Sequence, residues 1–187
     1  ELPFAIHIQG VQGKDWRYQS LSGKNTVEQD ILVSAAELQA SATDDIIKLA
    51  KFDVQSSLGQ LQANGQLERQ QNFPLQFDAT VKINDIRQNN ELILPASQAE
   101  IRLSGALKKQ TALSWKTQGA LESQLNAQIQ AAEPNFPLQV NLTVPQAQYP
   151  FNNKDPLKIQ DFNLTVGGNL AAAQIQLKSA VSGMGIP

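Results

Sequence analysis

Apolar and polar residues alternate along most of the chain. From Leu75 the apolar set runs Leu75, Phe77, Ala79, Val81 and Ile83, interleaved with Gln76, Asp78, Thr80 and Lys82. The same period of two recurs in Leu138, Val140, Leu142 and Val144, and in Leu125, Ala127, Ile129 and Ala131. Shorter runs are Phe4/Ile6/Ile8, Leu61/Ala63/Gly65/Leu67, Ile101/Leu103 and Ala173/Ile175/Leu177. Such a period sends successive side chains to opposite faces of a strand, so each segment predicts a strand with one apolar and one amide-rich face. Turn chemistry separates the runs, at Gly10 and Gly13, Gly59, Asn89-Asn90, Gly105, Asn152-Asn153 and Gly167-Gly168.

Two stretches break the rhythm. Leu157 and Ile159 share one parity, whereas Phe162, Leu164 and Val166 take the other. A β-bulge near Gln160–Asp161 would bring both sets to one face. Between Thr26 and Leu49, Val27, Ile31, Ala35 and Leu38 fit a helix, while Ile31/Val33/Ala35 and Ile47/Leu49 fit strands. Strands on both sides favour strand over one short helix.

An internal echo runs through the chain. Asn72-Phe73-Pro74-Leu75-Gln76 recurs as Asn135-Phe136-Pro137-Leu138-Gln139, and Thr80-Val81 as Thr143-Val144, at the same offset of 63 residues. Leu2-Pro3-Phe4 reads as a degenerate third copy. Proline enters a strand at its first position, where the missing N–H costs least. Recurrence at a fixed offset predicts a repetitive, stacked sheet.

The length of 187 residues suits one domain. With 15 Lys+Arg against 17 Asp+Glu the net charge is −2, which leaves no basic field, so binding to a nucleic-acid phosphate backbone has little to rest on and no nucleic-acid partner is expected. Glutamine fills 25 positions, so the polar face is uncharged for the most part. Without cysteine there is neither a disulfide framework nor a thiolate metal site, and an oxidising compartment would be chemically harmless. No run of 18 apolar residues exists to span a membrane as a helix. The sole methionine is Met184, so Glu1 does not look like a natural start. Residues 1–187 therefore read as a single section cut from a longer chain, with an unpaired sheet edge expected at each end.

Residues able to carry chemistry are few. His7, the only histidine, alternates outward from Ile6 and Ile8 and reads as a solvated surface residue. Asp15 and Asp44-Asp45 lack metal-loop spacing and read as turn or capping carboxylates. Trp16 and Trp115 could stack on a sugar, but packing or a sheet-edge role suits them better. Asn141-Leu142-Thr143 and Asn163-Leu164-Thr165 match the glycosylation pattern yet fall inside strands. With no glycine-rich phosphate loop and no paired carboxylates, an enzyme, a cofactor and a resident metal are not expected. What remains is apolar surface. A two-sheet sandwich would bury it, whereas an open trough would leave a continuous greasy groove of the kind that marks a binding site. An outer-membrane barrel would need aromatic girdles that two Trp and two Tyr cannot supply.

Ser56-Ser57-Leu58-Gly59-Gln60-Leu61-Gln62-Ala63-Asn64-Gly65, followed by the Asn-Phe-Pro-Leu-Gln strand at 72, resembles the TamB family, subunits of the translocation and assembly module of Gram-negative bacteria. Arg102-Leu103-Ser104-Gly105-Ala106-Leu107, the second Phe-Pro-Leu-Gln strand at 136 and Tyr149-Pro150-Phe151 extend the resemblance, in order, across nearly the whole chain. It corresponds to the family's amino-terminal half. The resemblance implies a β-taco, a long curled sheet with a hydrophobic trough, in a periplasmic bridge anchored in the inner membrane upstream of this section. It also implies contact with the outer-membrane barrel TamA through a region downstream. AsmA-like relatives are implicated in moving phospholipid between membranes.

The expected fold class is therefore all-β, an open, curled sheet of many antiparallel or mixed strands. The expected function is to shield phospholipid acyl chains, with Leu75, Phe77, Val81, Ile83, Leu138, Val140, Leu142, Val144, Ile175 and Leu177 lining the groove. A chaperone trough holding outer-membrane protein strands by edge addition is the alternative. A carbohydrate-binding sandwich built on Trp16 and Trp115 is a third reading, and it requires a closed apolar core.

Overall fold

The computed structural model describes residues 5–21, 27–88, 91–119, 121–149 and 157–183. The first strands are β1 (Ile6–Leu21), β2 (Val27–Ala42), β3 (Ile46–Ser56), β4 (Gly59–Glu68) and β5 (Pro74–Ile83). A small hairpin follows, β6 (Ile86–Gln88) and β7 (Glu91–Leu94). The chain continues through β8 (Ser97–Ala106), β9 (Thr111–Gly119), β10 (Ser123–Ile129), β11 (Leu138–Tyr149), β12 (Leu157–Asn169) and β13 (Ala172–Ser182). Among the described residues there is no helix, so residues 27–49 resolve as two strands joined by a turn at 43–45. The third copy of the echo, Leu2-Pro3-Phe4, lies outside the described residues.

Eleven strands form one antiparallel sheet in the order β1-β2-β3-β4-β5-β8-β9-β10-β11-β12-β13, with β6-β7 set apart as a two-stranded excursion. The sheet is open: β1 and β13 are its outer strands and do not pair with each other. No second layer packs on it among the described residues, which removes the sandwich reading. The core is correspondingly thin. Among the described residues only the small Ala63, Ala79 and Ala127 are buried apolar groups, and no large side chain is fully buried.

Every phase slip in the apolar pattern coincides with a backbone irregularity. The predicted bulge is present: Asp161 adopts φ 50°, and the β12–β13 register shifts between Gln160 and Asn163. β11 changes phase in step with β12, because Val144 pairs with Phe162 while Ala147 pairs with Ile159. In β3 an extra residue between Leu49 and Phe52 does the same, and in β1 one between Ile8 and Val11. A second slip in β1 falls at Asp15, φ 56°. There the Trp16 indole lies against Gly13, where an added Cβ would come within 2.2 Å of it. The apolar face therefore passes from Gly13 to Trp16. One extra residue per slip keeps the greasy set on one side, since a shift by a single position would otherwise transfer it to the other.

The 63-residue echo is structural as well. Phe73 and Phe136 both take positive φ, 56° and 49°, immediately before their prolines. This bend aims carbonyls at a neighbouring hairpin tip: Phe73 accepts from the Leu107 N–H and Asn72 from that of Lys108, while Asn135 accepts from Leu170. Gly105 and Gly168, again 63 residues apart, take φ 122° and 120° in the strands leading to those tips. A Cβ on either would lie within 2.3 Å of a backbone carbonyl oxygen, which explains glycine at both.

Candidate functional site

Residues paired across a ladder share a face, so the register maps the surface. One row crosses all eleven strands as Val11, Leu38, Phe52, Ala63, Ala79, Ile101, Trp115, Leu125, Leu142, Leu164 and Leu177. A second row on that face runs from Ile8 through Leu49, Gly65, Phe77, Leu103, Leu113, Ala127, Val140 and Val166 to Ile175. Leu75 and Leu138 belong to a third, joined through Gly105, Thr111 and Ile129. Val81 and Ile83 continue the parity of β5, and Val144 that of β11. All ten expected lining residues thus stand on one face. They differ in exposure, because Ile175 and Leu177 on the outer strand are 68% and 64% exposed whereas those on inner strands are half-buried by neighbours.

The opposite face is polar along equally long rows. Gln12, Glu37, Asp53, Gln62, Thr80, Glu100, Lys116, Gln124, Thr143, Asn163 and Lys178 form one of them. His7 pairs with Ser41 on this face and is exposed. Near the β1 edge the Arg17 guanidinium bonds both carboxylate oxygens of Asp30, which holds that carboxyl below its ordinary range against the opposing effect of desolvation. Hydrogen bonds from Lys51 and then Gln39 likewise lower Glu37. No group of three or more metal-ligating side chains assembles among the described residues. Asp44 lies in the turn before β3 and Asp15 at the β1 slip, apart from each other. Trp16 is 59% exposed on an outer strand, and Trp115 belongs to the apolar row six strands inward, so the two make no common platform.

The apolar face carries a bay of about 320 Å³ around Gly65, walled by Ile47, Leu49, Leu67, Leu75, Phe77 and Leu103. A larger recess of about 670 Å³ lies toward the other ends of the strands, where β10 stops short of β11. Its lining mixes Glu122, Lys158 and glutamines with Ala147 and Ile159. Residues such as Phe52, Leu113 and Trp115 were not among the expected lining set. Their parity is visible in sequence, but only the register ties them into rows. The chemistry available is solvation: a wide hydrocarbon surface backed by an amide face.

No solved structure matches the chain. It is 39% identical over 184 residues to the translocation and assembly module subunit TamB of Haemophilus influenzae, covering 98% of this chain and 14% of that relative. The family described as TamB, N-terminal domain, matches across residues 1–187. With the open sheet and its two unlike faces, the match completes the assignment: the chain belongs to the TamB family, in its N-terminal domain.

Proposed function

We propose that this section shields phospholipid acyl chains on its apolar face, as part of a periplasmic bridge tethered to the inner membrane upstream and reaching TamA downstream. The observation that carries the reading is a set of apolar rows crossing eleven strands with no layer over them among the described residues. Monomeric proteins rarely leave so large a contiguous apolar patch exposed unless it binds something. The role is passive and no reaction is catalysed. Acyl chains lie along the rows while head groups stay in water at the rim. At ~25 cal/mol per Å² of apolar area removed from water, partial cover offsets much of the cost of drawing a chain from a membrane. Because the rows act as a surface, no single lining residue is indispensable.

A photo-crosslinking residue placed in turn from Leu138 to Thr143 of the full-length protein in cells tests this. Leu138, Val140 and Leu142 are expected to capture phospholipid, and Gln139, Asn141 and Thr143 to capture none. Val140→Asp should impair transport, since a charge across the lipid path costs far more than one lost apolar contact. Equal capture at both parities overturns the reading. β1 and β13, each paired on one side only among the described residues, favour one second reading, a chaperone that pairs with extended outer-membrane protein strands. Peptide captured in place of lipid would select it.

A further inference from the structure

We infer that the bay around Gly65 is a fixed station for a single-chain or half-seated anionic amphiphile, its tail in the bay and its anionic head on Arg69 and the Lys108–Lys109 tip. This rests on the lipid-shielding reading and deepens it by adding a head-group chemistry and a place. Gly65 lines the bay in a row with Leu49, Phe77 and Leu103, and the Phe77 ring lies close over it, 3.0 Å from where a Cβ would stand. Its volume of about 320 Å³ and leucine-rich walls fit a length of hydrocarbon.

Cations flank its lining in the chain, Arg69 two residues after Leu67 and Lys108 directly after Leu107. The Arg69 N–H donates to the Asp45 carbonyl, which continues the β3–β4 ladder one step past Ile46 and Glu68. Alternation from Gly65 and Leu67 therefore carries Arg69 onto the apolar side, one strand step beyond Leu67, which lines the bay. Its Nη1 is out of solvent and has no acceptor among the described residues. A buried guanidinium nitrogen without an acceptor is costly, and an anionic oxygen arriving from a ligand would supply one. The neighbouring Asp45 carboxylate is engaged by Gln70 instead.

The β8–β9 tip completes the arrangement. Leu107 lines the bay, and its N–H and that of Lys108 dock on the carbonyls of Phe73 and Asn72. Lys108 Nζ sits 4.6 Å from the centre of the Phe73 ring. Among the described residues neither lysine nor Arg69 forms an ion pair with a carboxylate. Three cations without a carboxylate partner, close in the chain to Leu67 and Leu107 of the bay, favour a ligand that is both anionic and apolar.

The test uses the full-length protein with a crosslinker at Leu103, in the bay, or at Val140, on the same face but away from it. Arg69→Gln combined with Lys108→Gln and Lys109→Gln is expected to lower capture at Leu103 about tenfold, the loss of charge-assisted hydrogen bonds, and to leave Val140 unchanged. Arg69→Lys in the otherwise native chain should retain most of it. Dodecyl phosphate should compete at Leu103, whereas dodecanol and inorganic phosphate at equal concentration should not. Capture at both positions that ignores the cation variants overturns the station and leaves the shielding reading standing. Competition by inorganic phosphate alone overturns the amphiphile and indicates a plain anion site. No lipid capture at either position overturns both.

Discussion

From β4–β5 to β11–β12, six consecutive pairings run without a register shift. The flanks behave otherwise: β1–β2, β2–β3, β3–β4 and β12–β13 each contain at least one. The apolar face is nevertheless continuous through both regions. Regular alternation maintains it in the centre, where only β11 and β12 change phase and do so together, while in the flanks it is maintained by extra residues that rephase one strand against its neighbour. Bulges are thus the means by which longer outer strands, 16 residues in β1 and β2, stay on the same surface as the shorter ones inside.

The largest expected contrast uses glycine. In the regular centre Gly59 has φ 146°, and a Cβ there would lie 1.9 Å from the Lys82 carbonyl oxygen. Gly59→Ala should cost about 2–3 kcal/mol by native-state hydrogen exchange of β4 and β5. Gly10, at the β1 bulge, has open space around it, so Gly10→Ala should be neutral or stabilising by a few tenths. Equal effects at the two sites would erase the distinction between centre and flank.

A smaller effect is expected at the β12 bulge. Asp161 holds φ 50°, a conformation that disfavours a β-carbon. Asp161→Gly should stabilise β12–β13 by about 1 kcal/mol, and Asp161→Val should destabilise it by more. Opposite signs would mean that the aspartate side chain, rather than the backbone, organises the bulge.

The smallest concerns acid. Asp30 and Glu37 have ordinary values of 3.8 and 4.5 and are both lowered in the fold by hydrogen bonds from cations. Lowered carboxylates stabilise above their ordinary values, and that contribution fades as pH falls from about 4.5 through the depressed values. These pairs are solvent-exposed, so the loss is modest. Exchange in β1–β3, corrected for intrinsic rate, should rise over that window, and Asp30→Asn with Glu37→Gln should flatten the profile.

Much of this was legible in the sequence, and the reason is the single layer. With no partner layer to override it, alternation maps directly onto faces, as β5 and β11 show. What obscured residues 27–49 was the rephasing itself. The steps from Val33 to Ala36 and from Leu49 to Phe52 are three residues long, and a three-residue step is also the spacing of a helix face. The small hairpin β6-β7 went unread because three- and four-residue strands are too short to show a period. Arg69 was invisible for a different reason: it stands in a turn, and its side became evident only once the Asp45 carbonyl extended the ladder.

An open sheet one layer thick also makes length an independent variable. Each inner strand answers only to the two beside it, so a perturbation has no core through which to spread. Adding one antiparallel hairpin restores the direction of the chain and both faces, and widens the surface by about 10 Å. Growth of this kind requires no redesign elsewhere. The recurrence 63 residues apart, bend for bend and tip for tip, has the form such growth would leave behind.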